Sequence, residues 1–234
     1  MQPNDRRNNG VKVCAVIPAY NESAMIGKVV QEVKSYVDTV FVVDDGSSDN
    51  TLEIAQQNGA EVIQHQINLG MGRALQSGYN AAISRGFDIV VQLDGDGQHN
   101  PEYISKMLGI IKDCDLVIGS RFLNHSHREY PFIRRIGISF FTIVVNLLGG
   151  IKITDVTSGY RTFRAQGLKR ITPLSTRHWA VGQTLEAGKK GLKIKEISVE
   201  MPLRTTGSSQ FSLRAYALYP FRMVWVILKV MLLR

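Results

Sequence analysis

Short runs of β-branched and other apolar residues alternate along this chain with stretches whose apolar residues recur at helical spacing. No other feature restricts the fold as much. Residues 11–17 read as a strand ending at Pro18, and 24–37 as a helix. Residues 39–44 read as a buried strand, after which Ser48 or Asp49 can cap a helix that stops at Asn58-Gly59. Residues 61–65 are strand-like, 70–85 helical and 88–94 a further strand. Pro101 opens another helix, because proline is tolerated in a first turn, and 116–119 form a fifth strand. Strands joined by crossover helices predict an α/β fold with a mostly parallel central sheet and helices on both faces.

In such sheets ligands sit beyond the carboxyl ends of the strands. Three of these ends carry polar clusters. Ile17 leads into Pro18-Ala-Tyr20-Asn-Glu22, Val43 into Asp44-Asp45-Gly46, and Leu93 into Asp94-Gly95-Asp96. Asp94 and Asp96, two positions apart with a glycine between, can turn toward one point, and Gln98 adds a neutral oxygen. Hard oxygens of this kind suit Mg2+ or Mn2+, with coordination positions left for phosphate and water. Asp45 can hydrogen-bond a base or ribose, as acids do in nucleotide-binding α/β folds. An EF-hand is disfavoured because its downstream glutamate is missing. Gly70-Met71-Gly72 has neither the third glycine of a dinucleotide fingerprint nor a following Gly-Lys-Ser/Thr, which argues against a dehydrogenase or an ATPase.

Composition narrows the class. With 234 residues, 44% apolar and 21% charged, the chain can bury one sizeable core. Cys14 and Cys114 lack metal-ligand spacing and read as buried thiols in a reducing compartment. Residues 1–10 are polar, read as a loose tail and offer no secretory signal. No run reaches the roughly 20 apolar residues of a spanning helix. The expectation is therefore a protein kept in the cytosol, on the cytoplasmic face of a membrane as a peripheral protein.

Six motifs occur in order: Val16-Ile-Pro-Ala-Tyr-Asn-Glu22, Asp44-Asp-Gly-Ser-Ser-Asp-Asn-Thr51, Asn68-Leu-Gly-Met-Gly72, Asp94-Gly-Asp-Gly-Gln-His-Asn-Pro101, Gly119-Ser-Arg121 and Thr154-Asp-Val-Thr-Ser-Gly-Tyr-Arg161. Together they resemble glycosyltransferase family 2, most of all its dolichyl-phosphate mannosyltransferase branch of polyprenyl-phosphate sugar transferases. The resemblance implies a GT-A type nucleotide-diphospho-sugar transferase fold over residues 11–212. It implies an inverting, metal-dependent transfer from GDP-mannose or a UDP-sugar to a dolichyl or undecaprenyl phosphate. Pro18, Tyr20, Glu22, Asp45 and Asp94 would then hold the nucleotide. Asp94, Asp96 and Gln98 would bind the metal, and Asp96, Arg121, Asp155 and Arg204 would act at the reacting centre. Ser158, Arg161 and Ser209 would line the acceptor or phosphate side. The chain departs from the family pattern at Gln210, where a lysine is usual, at Met71, where a lysine is common, and at Gln183, where an acid is expected, although Glu186 is close by. Lipid phosphate is already anionic and needs no strong base. A hydroxyl of a glycan, lipid or protein, the alternative acceptor, does need one, and Asp155 is the first candidate.

Charge and hydropathy at the end of the chain bear on the acceptor. Net charge is +8, and no acid follows Glu200, whereas Arg204, Arg214, Arg222, Lys229 and Arg234 do. Residues 132–148 and 221–234 are mostly apolar, and each is too short to span a bilayer as a helix. Both are open to two readings: a core or oligomer-interface helix, or a helix lying in the membrane surface, with 213–234 as an amphipathic membrane-associating segment. A nucleic-acid partner is not expected. No RNA- or DNA-binding motif is present, and the aspartate clusters would repel phosphate without a metal.

Overall fold

Side chains alternate across the first strand, β1 (Val13–Ala19): Cys14 and Val16 enter one core, while Val13, Ala15, Ile17 and Ala19 enter another. A strand buried on both faces belongs inside a sheet covered by helices on each side. The computed structural model describes residues 10–123, 132–171, 179–202 and 213–232. Its elements follow in order as β1, α1 (Ile26–Val33), β2 (Thr39–Asp44), α2 (Thr51–Gln57), β3 (Glu61–Gln64), α3 (Met71–Ser84), β4 (Ile89–Gln92), α4 (Tyr103–Ile110), β5 (Leu116–Ser120), α5 (Phe132–Gly149), β6 (Arg161–Arg164), α6 (Ala165–Arg170), α7 (Trp179–Lys189), β7 (Ile194–Ser198) and α8 (Leu213–Leu232).

The seven strands form one sheet in the order β3-β2-β1-β4-β6-β5-β7. Only β6 runs against its neighbours, β4 and β5. Helices α1, α2 and α4 cover one face, and α3, α5, α6, α7 and α8 the other. Gly78 lets α3 lie close to the sheet, since a Cβ there would meet Val16 Cγ1 at 2.3 Å. Buried along nearly its whole length, α7 is packed against both α5 and α8, which also touch each other. Among the described residues no helix is long and apolar enough to cross a membrane.

The expected alternation is found, with three differences. β1 continues through Pro18 instead of ending there. Its pairing with β4 stops at Val16, so the missing proline N–H falls where only β2 remains as a partner. The cap of α2 is Asn50, while Asp49 Oδ1 accepts from Thr51 N at 3.1 Å from outside the helix. Pro101 lies in a turn closed by Asn100 Oδ1, which accepts from Glu102 N at 2.9 Å, and α4 begins at Tyr103. Beyond the five expected strands the structure adds β6 and β7.

Candidate active site

Six strands bring their carboxyl ends to one edge of the sheet, and β6, running the other way, begins at that same edge. The Thr154–Arg161 motif therefore arrives beside the three polar clusters, although it precedes its strand rather than following it.

The first two clusters hold each other. Asn21, in the left-handed region at φ 54°, donates its N–H to Ser47 Oγ (2.9 Å) and accepts from Ser48 N at Oδ1 (2.8 Å). Glu22 N donates to Thr51 Oγ1 at 2.8 Å, and the Glu22 carbonyl starts α1. Tyr20 stands 41% exposed at the mouth, and Pro18 is buried inside β1. Asp45 is buried as well. Its Oδ1 accepts from Leu69 N (2.9 Å) and from His65 Nδ1 (2.7 Å), and its Oδ2 from Gly70 N (2.7 Å). A carboxylate only accepts, so Nδ1 of His65 donates to Asp45, and Nε2 lies in hydrogen-bond contact with Ser77 Oγ at 2.9 Å. Both Asp45 oxygens are thus engaged with the loop that precedes α3. Neither His65 nor Ser77 stood out among the candidate residues of the sequence.

Asp94 and Asp96 flank Gly95 just past β4, both half-buried. The N–H of Asp94 donates to His99 Nδ1 at 2.9 Å, and Gln98 N donates to Asp96 Oδ1 at 3.0 Å. Burial pushes the His99 imidazole down to about 4, against the upward pull of Asp96, so the ring is neutral at neutral pH. Gln98 Nε2 donates to Pro202 O at 2.6 Å, leaving Oε1 as the oxygen it can offer a metal. No group of three or more His, Cys, Asp or Glu able to hold a metal ion occurs among the described residues. The donor set fits a hard divalent cation that completes its shell with phosphate oxygens and water, and does not fit a closed protein cage.

Arg121 follows β5 and meets Asp155 in a fork, Nε to Oδ2 at 2.6 Å and Nη2 to Oδ1 at 2.8 Å, with Nη2 also on Thr157 Oγ1 at 2.7 Å. Asp155 is 0% exposed. Burial pushes its carboxyl up, but the Arg121 guanidinium and its hydrogen bonds outweigh that and hold it below the usual carboxylate range. Enclosed and stabilised in its charged form, Asp155 pairs with Arg121 at the position where a hydroxyl acceptor was expected to find its base. From β7, Glu196 fixes the same loop by accepting from Thr154 N (2.7 Å) and Asp155 N (3.0 Å). Nothing in the Ile-Lys-Glu-Ile-Ser pattern of that edge strand signals this function.

Two residues expected on the acceptor side, Ser158 and Arg161, lie below the surface of the site. Ser158 is buried and its Oγ accepts from Tyr160 N at 3.3 Å. Arg161 is 0% exposed and its donors are committed internally: Nε to Ser158 O (2.8 Å), Nη1 to Gln183 Oε1 (3.0 Å), and Nη2 to Val156 O (3.2 Å) and Ala180 O (3.1 Å). Its guanidinium lies over Trp179, and burial lowers it to about 10. This arginine staples β6 to α7 beneath the site. Arg204 and Ser209, with Gln210, lie outside the described residues.

Residues 14–172, well over half of the chain, match the family described as Glycosyl transferase family 2. The chain belongs to that family. Glycosyl transferase family 2 relatives of similar length include the undecaprenyl-phosphate mannosyltransferase of Micrococcus luteus, 29% identical over 86% of this chain and 88% of the relative. Another is the UDP-N-acetylglucosamine–dolichyl-phosphate N-acetylglucosaminyltransferase of Methanococcus voltae, 34% identical over 79% of this chain and 83% of that one. Among solved structures, glucosyl-3-phosphoglycerate synthase of Mycobacterium tuberculosis, in complex with Mn2+, UDP and phosphoglyceric acid, superposes with a TM-score of 0.71 at 19% identity, covering 94% of this chain and 78% of that one. That likeness concerns the fold, which is the GT-A arrangement expected from the sequence. The chain is a glycosyltransferase.

Proposed function

We propose that this family 2 glycosyltransferase moves a hexosyl group from a nucleoside diphosphate sugar to a polyprenyl phosphate, with inversion at the sugar carbon. A phosphate oxygen of the lipid attacks that carbon, and the bond to the nucleoside diphosphate breaks. Asp94, Asp96 and Gln98 Oε1 would hold Mg2+ or Mn2+, which when bound offsets the negative charge of the departing diphosphate. Tyr20 and the cross-bridged Asn21–Thr51 loops would receive the nucleoside. Asp45 would act by fixing the Leu69-Gly70 backbone beside them. Arg121, held rigid by Asp155, adds positive field at the same edge.

The observation that carries the acceptor class is the Arg121–Asp155 fork. The acid that a hydroxyl acceptor would rely on is buried and locked in its charged form, whereas a lipid phosphate arrives already ionised and asks for no base. The names of the two relatives agree with this reading. So does the outer surface. Phe132, Ile136, Phe140, Ile143 and Leu147 form an exposed stripe on α5, and Phe221, Val224, Trp225 and Leu228 one on α8. Neither helix contains an acid, and Arg222 is exposed beside the second stripe. Both helices pack on α7 and touch each other, and their exposed stripes would serve together as a platform for an anionic bilayer at the cytoplasmic face. Asn146 of α5 ties that platform to the start of the Thr154–Arg161 loop, donating to Ile153 O at 2.9 Å and accepting from Ile153 N at 3.0 Å. The test is transfer of label from nucleotide sugars to undecaprenyl phosphate in the presence of Mn2+. Label passing to a hydroxyl acceptor and not to lipid phosphate would overturn the reading.

A further inference from the structure

Asp94 is the carboxylate nearest the end of β4, and its backbone and side chain face one histidine. The Asp94 N–H donates to His99 Nδ1 at 2.9 Å. That bond makes Nδ1 an acceptor, so in the neutral ring the proton sits on Nε2. Nε2 in turn lies 3.9 Å from Asp94 Oδ2. The ring is fixed from behind by Tyr160, stacked at 4.9 Å between centroids and 15° between planes. Tyr160 is itself held through its hydroxyl, which donates to Asn100 O at 3.0 Å. Gly159 closes the remaining side: a Cβ there would stand 3.1 Å from Asp94 Oδ2 and 3.5 Å from His99 Cε1. Gly159 is anchored from below, where its carbonyl accepts from Gln92 Nε2 at 2.7 Å.

We infer that His99 is a positioning residue that sets the direction of the Asp94 carboxylate toward the cation. It acts through Asp94 and touches no substrate atom. A strand end followed by glycine leaves the Asp94 backbone free to rotate. The acceptor nitrogen of His99, wedged between Tyr160 and Gly159, removes that freedom. Outer residues that orient a metal ligand typically change metal affinity by about 10–100-fold when lost. The inference rests on the metal role proposed above for Asp94, so its test carries a readout that needs no metal.

Three variants separate the acceptor atom from the ring. His99→Phe keeps the stack on Tyr160 and removes both nitrogens. His99→Asn returns an acceptor oxygen at the position of Nδ1. His99→Leu is the second apolar variant should His99→Phe not fold. Mn2+ binding in the presence of GDP or UDP is followed by loss of the free Mn2+ paramagnetic resonance signal, and exchange of the Asp94 amide by hydrogen–deuterium exchange without metal. Expected are Mn2+ binding weakened by about tenfold or more in the apolar variants and within about threefold of wild type in His99→Asn, with each variant still folded by far-UV circular dichroism. The Asp94 amide should exchange slowly in wild type and His99→Asn and faster in the apolar variants. An equally fast amide in wild type, or His99→Asn as weak as His99→Phe, overturns the inference. If wild type takes up no Mn2+ with either nucleotide, the metal reading fails instead, and the amide exchange alone decides whether His99 holds Asp94.

Discussion

Arg121 and Asp155 come from loops 34 residues apart, yet meet as a two-pronged pair, 2.6 Å from Nε to Oδ2 and 2.8 Å from Nη2 to Oδ1. A pair this enclosed is costly to break by removing one member, because the other is left charged and buried. Replacing Asp155 by Asn is expected to destabilise the fold by about 3 kcal/mol in urea unfolding.

The same pair fixes a pH dependence. The folded-state carboxyl of Asp155 is held below its ordinary value, so its contribution is present in full above the unfolded value, about 3.9, and is lost as pH falls through the lower folded value. The stability difference between wild type and Asp155→Asn should stay level between about pH 5 and 8 and narrow below about pH 4. A gap that persists unchanged into acid would show that Asp155 protonation is not linked to folding.

Arg161 is predicted to serve the fold and not the acceptor. Its guanidinium meets Gln183, whose Nε2 donates to Tyr79 Oη at 3.3 Å, and the Tyr79 hydroxyl in turn donates to Gln92 Oε1. Gln183→Leu leaves the buried Arg161 Nη1 without its acceptor and Tyr79 Oη without its donor, and should cost about 1–3 kcal/mol by thermal unfolding. Gln183→Glu gives the buried cation a counter-charge and should keep the midpoint. If Gln183→Leu raised only the KM for lipid phosphate, the staple assignment would be wrong.

Exposed apolar residues on α5 and α8 can be altered without touching the core. Phe140→Ser combined with Trp225→Ser should leave the thermal midpoint nearly unchanged, since surface substitutions away from special features are worth about 0.5 kcal/mol or less. It should also reduce co-sedimentation with phosphatidylglycerol vesicles severalfold. Unchanged binding to vesicles would remove the platform from the account.

Strand alternation was readable because each strand of the first half is a short β-rich run between turn signals, as in Thr39–Asp44, which the structure reproduces to the residue. Both unread strands lack that signature. β6, Arg-Thr-Phe-Arg, carries an arginine at each end, one of them buried by its own hydrogen bonds, and β7 carries Lys195 and Glu196 at a sheet edge. The carboxylates at strand ends were legible because topology gathers them at one edge. Their partners were not. Whether an aspartate binds a ligand, as proposed for Asp96, or pairs with an arginine from a neighbouring loop, as Asp155 does, depends on contacts between residues distant in sequence. His99 lies inside the Asp94–Pro101 motif, and nothing in the sequence shows that the Asp94 N–H points at its Nδ1.

The most direct measurement is transfer itself: tritiated GDP-mannose, UDP-glucose and UDP-N-acetylglucosamine, each with undecaprenyl phosphate, assayed with and without Mn2+ for label entering the lipid phase. Wild type is predicted to label the lipid with at least one donor only when the metal is present, and Asp96→Ala to fall by about 100-fold or more. No labelling of the lipid by wild type from any donor, or full labelling by Asp96→Ala, would contradict the account.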